Sequence, residues 1–265
     1  MFHEELENDG FKGRIKELEK IKRYKQFDVM FYRSDLVMHS TRMRLMLDNL
    51  SPQIRQVFPS FDFKTAGLLV LVHDDPETVS KKGDVPYSVK LRMSPEDEKE
   101  LEIEESRAIE VLSSRWPIKI KGIEYKKLLL ESHRKETLES QMLSYIDKMD
   151  ALCESIHEVI AGNEQFYKRV NESRPPYRGT QMLKFPKKYP NLTPFYQIEH
   201  PIHAPLNKFK MPDPYVLLRK GRPHTSESIR ENSNIPHYEY WKRTLLEGNP
   251  EQGLDWLIKQ REFKI

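Results

Sequence analysis

AGLLVLVHDDPE, Ala66 to Glu77, is the stretch on which the reading of this chain turns. Seven uncharged residues run straight into His73, Asp74 and Asp75, followed by Pro76 and Glu77. That pattern predicts a buried helix, opened at Lys64 or Thr65 and ended with the help of Pro76, which cannot continue it. The imidazole and carboxylates then sit at the edge of a buried element. Burial there is costly unless they are paired or hold a metal. The competing reading is a helix that ends in a solvated acidic turn.

Working outward, 265 residues suffice for one large domain or a domain with an appendage. Charged residues make up 32% and hydrophobic ones 37%, polar for a globular chain but not disordered by composition. Lys and Arg total 44 against 41 Asp and Glu, a net charge of +3, which does not announce nucleic acid as a partner and does not exclude it. One cysteine, Cys153, rules out a disulfide framework within the chain. The acidic start MFHEELENDG has no signal-peptide pattern, and no apolar stretch reaches the roughly 18 residues a membrane span needs. A cytoplasmic protein with no membrane partner is expected.

The rest of the first 172 residues reads as helices. Ile15, Leu18 and Ile21 give an amphipathic helix within Gly13 to Lys25. Ser34 is the expected N-cap of the next, with Asp35 in its first turn and Pro52 and Pro59 at its exit. Ser80 to Lys90 has the Gly and Pro of a loop. Ser94-Pro95 opens a helix with the stripe Leu101, Ala108, Ile109 and Leu112. Ile123 to Leu130 predicts another helix, and Thr137 to Ala161 the longest, stopped by Gly162-Asn163.

From Ser173 the character changes, with twelve of the 18 prolines between there and Pro250. Proline at that density forbids long helices and central strands. The expected organisation is an all-α body over residues 1–172 and a Pro- and aromatic-rich arm over 173–265. The arm is expected to lie extended on the body or on a second subunit, to border the pocket or act as a brace, and to finish in short helices near Tyr238 to Glu247 and Glu251 to Gln260.

Helical spacing allows His39, His73, Asp74 and Asp150 to meet. Two imidazoles and two carboxylates suit one divalent ion with positions left for water and substrate. Each has an ordinary alternative, from a hydrogen-bonded core histidine at 39 to a solvated carboxylate at 150 paired with Lys148. Asp147, on the same helix face, is a rival ligand. His157 reads as packing or surface.

The ordered segments RSDLVMHS, HDDPE, GDVPYSVK and YIDKMDALCESIHEVIAGN resemble the motifs of the HD-domain metal-dependent phosphohydrolases, and among them the 5'-deoxynucleotidase branch. That branch reads R-x-x-N-x-x-E-H-S, then H-D-x-x-E, then G-D-x-P-x-x-V-K, then a helix with A-D-A. The resemblance runs from about Arg23 to Asn163. It implies an all-α HD bundle and one divalent transition ion (Mn, Co, Fe, Ni or Zn) on His39, His73, Asp74 and Asp150. It also implies Glu77 as the group that activates or orients water, Arg23 and Arg33 as phosphate-pocket arginines, and Asp84 as the sugar contact. Lys90 is a less direct candidate.

The sequence differs from the branch in four ways: Tyr24 for a tryptophan, Asp35 for an asparagine, Asp75-Pro76 for small residues, and a stretch from Arg23 to His39 about one residue longer. The expected function is hydrolysis of (deoxy)nucleoside 5'-monophosphates. The alternatives are an HD phosphohydrolase for a nucleoside triphosphate, cyclic nucleotide or nucleic-acid end, or a non-catalytic metal-containing binding module. The expected partners are a nucleotide or other phosphorylated small molecule and a second copy in a homodimer.

Overall fold

The structure, a computed structural model, describes residues 2–25, 27, 30, 33–81, 83, 85, 87–90, 92–160 and 184–198. It is all-α apart from one two-stranded hairpin among those residues. The chain forms two compact units: residues 1–26, 34–44 and 62–143 in the first, and 27–33, 45–61 and 144–265 in the second.

In the first unit, α1 (Phe2–Asn8) and α2 (Arg14–Lys20) pack together, and α2 also touches a 3-10 turn at Asp75–Thr78. The motif α1 was not legible as a helix in the sequence, since only His3 and Leu6 are buried on it. Then come α3 (Leu36–Val57), of which residues 36–44 belong to this unit and 45–57 to the second, α4 (Phe63–Val72), the single turn α5 (Tyr87–Lys90) and α6 (Pro95–Arg115). β1 (Lys119–Ile120) pairs antiparallel with β2 (Ile123–Glu124), and α7 (Tyr125–Arg134) follows. α4 packs on α7, and α6 packs on α7 and on the 3-10 turn.

Local chemistry accounts for the boundaries, and in several places moves them. Asp35, not Ser34, caps α3: its carboxylate accepts from Met38 N at 2.9 Å, and its carbonyl from His39 N at 3.0 Å. Lys22 pairs with the same carboxylate at 2.9 Å. α4 begins at Phe63, just ahead of the expected Lys64 or Thr65 start, because Asp62 accepts from the backbone N–H of Lys64 and Thr65. Pro52 does not end α3. It costs one backbone hydrogen bond, but Leu50 and Ile54 on either side are buried and hold the helix together to Val57. α6 matches the reading closely, with a Ser94–Asp97 capping box and Leu101, Ala108, Ile109 and Leu112 all buried.

The hairpin was not anticipated, and α7 starts at Tyr125 instead of Ile123 because of it. Lys121 and Gly122 both have positive φ, 47° and 88°, as a two-residue primed turn requires. The unit's aromatic core is Phe11, Trp116 and Tyr125, with Phe11 edge-on to Tyr125 at 5.1 Å between centroids.

In the second unit the long helix α8 (Leu138–Ile160) runs on from its first turns in the other unit. The described part of the arm is not extended. It forms short turns, α9 (Phe185–Lys188), a 3-10 turn (Pro190–Leu192) and α10 (Thr193–Tyr196). Pro186, Pro190 and Pro194 each stand in the first two positions of a turn, where a missing N–H costs nothing. Phe185, Tyr189, Leu192 and Phe195 are buried, and Tyr145 of α8 meets Phe185 at 5.9 Å and Phe195 at 5.4 Å, both edge-on. This much of the arm does lie on α8. Gly162-Asn163, the rest of the arm and its two terminal helices lie outside the described residues. Among the described residues no helix is long and apolar enough to cross a membrane.

Candidate metal centre

His39 lies one turn into α3, fully buried. His73 caps the C-terminal end of α4, and Asp74 follows it into the 3-10 turn. One ligand atom from each of these three lies within 4.8 Å of the others. The rings of His39 and His73 are 5.5 Å apart at 59°. His39 Nε2 is 3.6 Å from Asp74 Oδ2, and His73 Nε2 is 3.2 Å from Asp74 Oδ1.

The orientation of His73 makes this group more than an acidic corner. Its Nδ1 is 2.9 Å from the Val70 carbonyl, which only accepts, so Nδ1 carries the proton and donates. In the neutral ring Nε2 then presents a lone pair. It is buried, makes no hydrogen bond among the described residues, and faces a carboxylate oxygen. Two acceptors at that distance repel unless a cation lies between them. An imidazole fixed through Nδ1–H to a carbonyl is also the usual support of a metal-binding Nε2. The N, N, O donor set therefore fits a divalent transition ion.

Glu77 is half-buried on the same 3-10 turn, its backbone N–H donating to the Asp74 carbonyl at 3.0 Å. Arg23, in the same unit, donates its backbone N–H to Ser34 at 3.0 Å and holds its guanidinium over the Tyr24 ring at 5.4 Å. Tyr24 takes a positive φ of 57°, uncommon for an aromatic residue. Lys90 pairs with Glu105 at 3.6 Å.

Two expected residues belong to the second unit. Arg33 donates to the Phe27 carbonyl. Asp150 is completely buried on α8, whereas Asp147 is partly exposed and ion-paired with Lys148. Asp84 and the His157 side chain lie outside the described residues.

What the sequence reading missed is the next residue, Asp75. It is no solvated turn residue but fully buried. Arg14 grips it through Nε at 3.0 and 2.9 Å and through a terminal nitrogen at 2.6 Å, and the Tyr125 hydroxyl donates to Oδ2 at 2.7 Å. The other Arg14 nitrogen donates to His3 Nδ1 at 2.9 Å, and His3 Nε2 is 3.0 Å from Ser40 Oγ. Burial pushes the Asp75 carboxyl up, and Arg14 and Tyr125 oppose that shift. Burial, then the Arg14 charge, drive His3 from the usual 6.5 down to about 3. Removing one partner of such a buried ion pair costs about 3–5 kcal/mol. The only local signal was an acidic residue beside the His-Asp pair; its partner is far away in sequence.

With this geometry in place, comparison with known proteins is informative. The family model described as 5'-deoxynucleotidase YfbR-like matches residues 10–182, well over half of the chain. No curated protein matches. Among solved structures, a conserved hypothetical protein from Pyrococcus furiosus is similar at 17% identity with a TM-score of 0.39, over 82% of this chain and 96% of that one.

Proposed function

Because the chain belongs to the YfbR-like 5'-deoxynucleotidase family of metal-dependent HD phosphohydrolases, we propose that it hydrolyses deoxynucleoside 5'-monophosphates to nucleoside and phosphate. The observation that carries this reading is the convergence of His39, His73 and Asp74, with the His73 lone pair turned on the Asp74 carboxylate. In this reading Asp150 is the fourth ligand. A divalent ion held there would supply a Lewis acid that acidifies water and neutralises phosphoryl charge.

The chain's own residues do the rest. Glu77, one short turn beyond Asp74, accepts the proton from the attacking water or holds that water in line. Arg23 and Arg33 grip the phosphate, and a guanidinium does this in bidentate fashion where a lysine cannot. Asp84 accepts a hydrogen bond from the sugar 3'-hydroxyl, and a site closed to a 2'-hydroxyl prefers deoxyribose. The water's oxygen bonds to phosphorus, the bond from phosphorus to the 5'-oxygen breaks, and the nucleoside leaves with a proton.

A panel of 5'-deoxynucleotides, 5'-ribonucleotides, 3'-monophosphates, triphosphates and cyclic nucleotides, with released phosphate as readout, tests the proposal. Turnover is expected for the 5'-deoxynucleoside monophosphates and should fall for their ribose counterparts. Preferential turnover of triphosphates or cyclic nucleotides would replace this substrate assignment with another phosphoester.

A further inference from the structure

The buried chain Ser40–His3–Arg14–Asp75 joins the two elements that carry His39, His73 and Asp74. Ser40 follows His39 on α3, and Asp75 follows Asp74 at the exit of α4. All four linking residues are buried, none more than 3% exposed. Their donors and acceptors run in one consistent sense. Arg14 can only donate, so His3 Nδ1 accepts and His3 carries its proton on Nε2, which lies 3.0 Å from Ser40 Oγ and also has the Val37 carbonyl as an acceptor. Ser40 passes its own proton to the Leu36 carbonyl at 2.6 Å.

At the other end Arg14 holds Asp75 and also donates to the Leu71 carbonyl in the last turn of α4, one of the acceptors a helix end leaves open. Tyr125 completes the Asp75 carboxylate from α7. None of the four is among the three residues whose ligand atoms converge. His3 lies before residues 10–182, so the N-terminal helix supplies a link that the family match does not include.

We infer that this relay is a positioning device that sets the spacing of His39 and Asp74, and hence the metal affinity of the site. The inference rests on the metal reading given above. A rigid tie is needed because the ligands come from separate helices, and a misplacement of about 1 Å is enough to degrade a preorganised site. Asp74 and Asp75 share a peptide, so fixing the Asp75 carboxylate at three donors fixes the backbone from which Asp74 projects.

The test is Co²⁺ titration of the full-length, metal-stripped protein, followed by visible absorption, which reports both affinity and ligand geometry. Tyr125→Phe removes one hydrogen bond to Asp75 while keeping the ring, and Ser40→Ala cuts the link beside His39. Asp75→Asn is the stronger variant. Each is expected to weaken Co²⁺ binding about tenfold or more and to shift the absorption band, with circular dichroism unchanged. Leu112→Ala, a buried α6 residue outside the relay, is the control and should leave affinity and band in place. Wild-type affinity and spectrum in both Tyr125→Phe and Ser40→Ala would overturn the inference while leaving the metal reading standing. Equal losses in Leu112→Ala would overturn it too, by reducing the effect to general destabilisation. A wild-type chain that binds no Co²⁺ would overturn the metal reading and this inference with it.

Discussion

Asp74 and Asp75 are adjacent in sequence and opposite in environment. Asp74 turns its carboxylate to within 3.2 Å of His73 Nε2 and 3.6 Å of His39 Nε2. Asp75 turns away, fully buried against Arg14 and Tyr125. One carboxylate faces the two imidazoles, and the other is held by an arginine and a tyrosine. That division explains how a run of ionisable groups can end a helix whose residues 66–72 are all buried.

Glu77 is assigned to proton transfer and not to the metal. Glu77→Gln should leave metal content at the wild-type level and lower turnover by about 10²-fold, the scale of a lost general base. Metal analysis beside phosphate-release kinetics checks both halves. Undiminished turnover would move Glu77 to a structural role.

The two carboxylates of α8 should behave differently. Asp147 is ion-paired with Lys148 and keeps some solvent, while Asp150 is completely buried. Asp150→Asn should therefore lower metal content and activity strongly, and Asp147→Asn should change both by less than about twofold. The reverse ranking would make Asp147 the ligand.

Much of this was legible locally. The Ser94 capping box, the α6 stripe and the apolar run of α4 are set by residues within a turn or two of one another, and they appear where the spacing puts them. The His73-Asp74 pair was legible for the same reason. The burial of Asp75 was not, because it depends on Arg14, His3 and Tyr125, which only the tertiary fold brings near. Pro52 and the Lys121-Gly122 turn failed for a related reason: packing of Leu50 and Ile54 outweighs one lost hydrogen bond, and Lys-Gly is a weak form of the usual turn signal. The arm was expected to be extended, yet prolines at the first positions of turns permit the compact helical pieces that pack on Tyr145.

His3 supplies a pH prediction. Its pKa is about 6.5 when unfolded and about 3 when folded, depressed by burial, then by the Arg14 charge and the chain's amino terminus. Below pH 6.5 the unfolded chain binds a proton at His3 that the folded chain does not. Its contribution is therefore fully present above pH 6.5 and is lost progressively toward pH 3, by up to about 1.4 kcal/mol per pH unit. Urea unfolding of wild type and His3→Gln at pH 7.5 and pH 5.5 should show the wild-type advantage shrinking at the lower pH. A constant difference would mean that His3 is protonated in the folded protein.

Phe195 should anchor the described part of the arm. Phe195→Ala removes a fully buried ring that packs edge-on against Tyr145, and should cost about 3–5 kcal/mol of stability. Thermal or urea unfolding measures it. A loss below about 1 kcal/mol would show that the segment is not held on α8.

The most direct test of the account is the metal content and 5'-deoxynucleotidase activity of Asp74→Ala beside wild type, each purified, metal-stripped and reloaded with the same divalent ion. Asp74 is the carboxylate common to both imidazoles, so no neighbour can replace it at that geometry. About one ion per wild-type chain is expected, with phosphate released from a deoxynucleoside 5'-monophosphate, and neither in a folded Asp74→Ala protein. Full metal occupancy together with wild-type turnover in Asp74→Ala would contradict it.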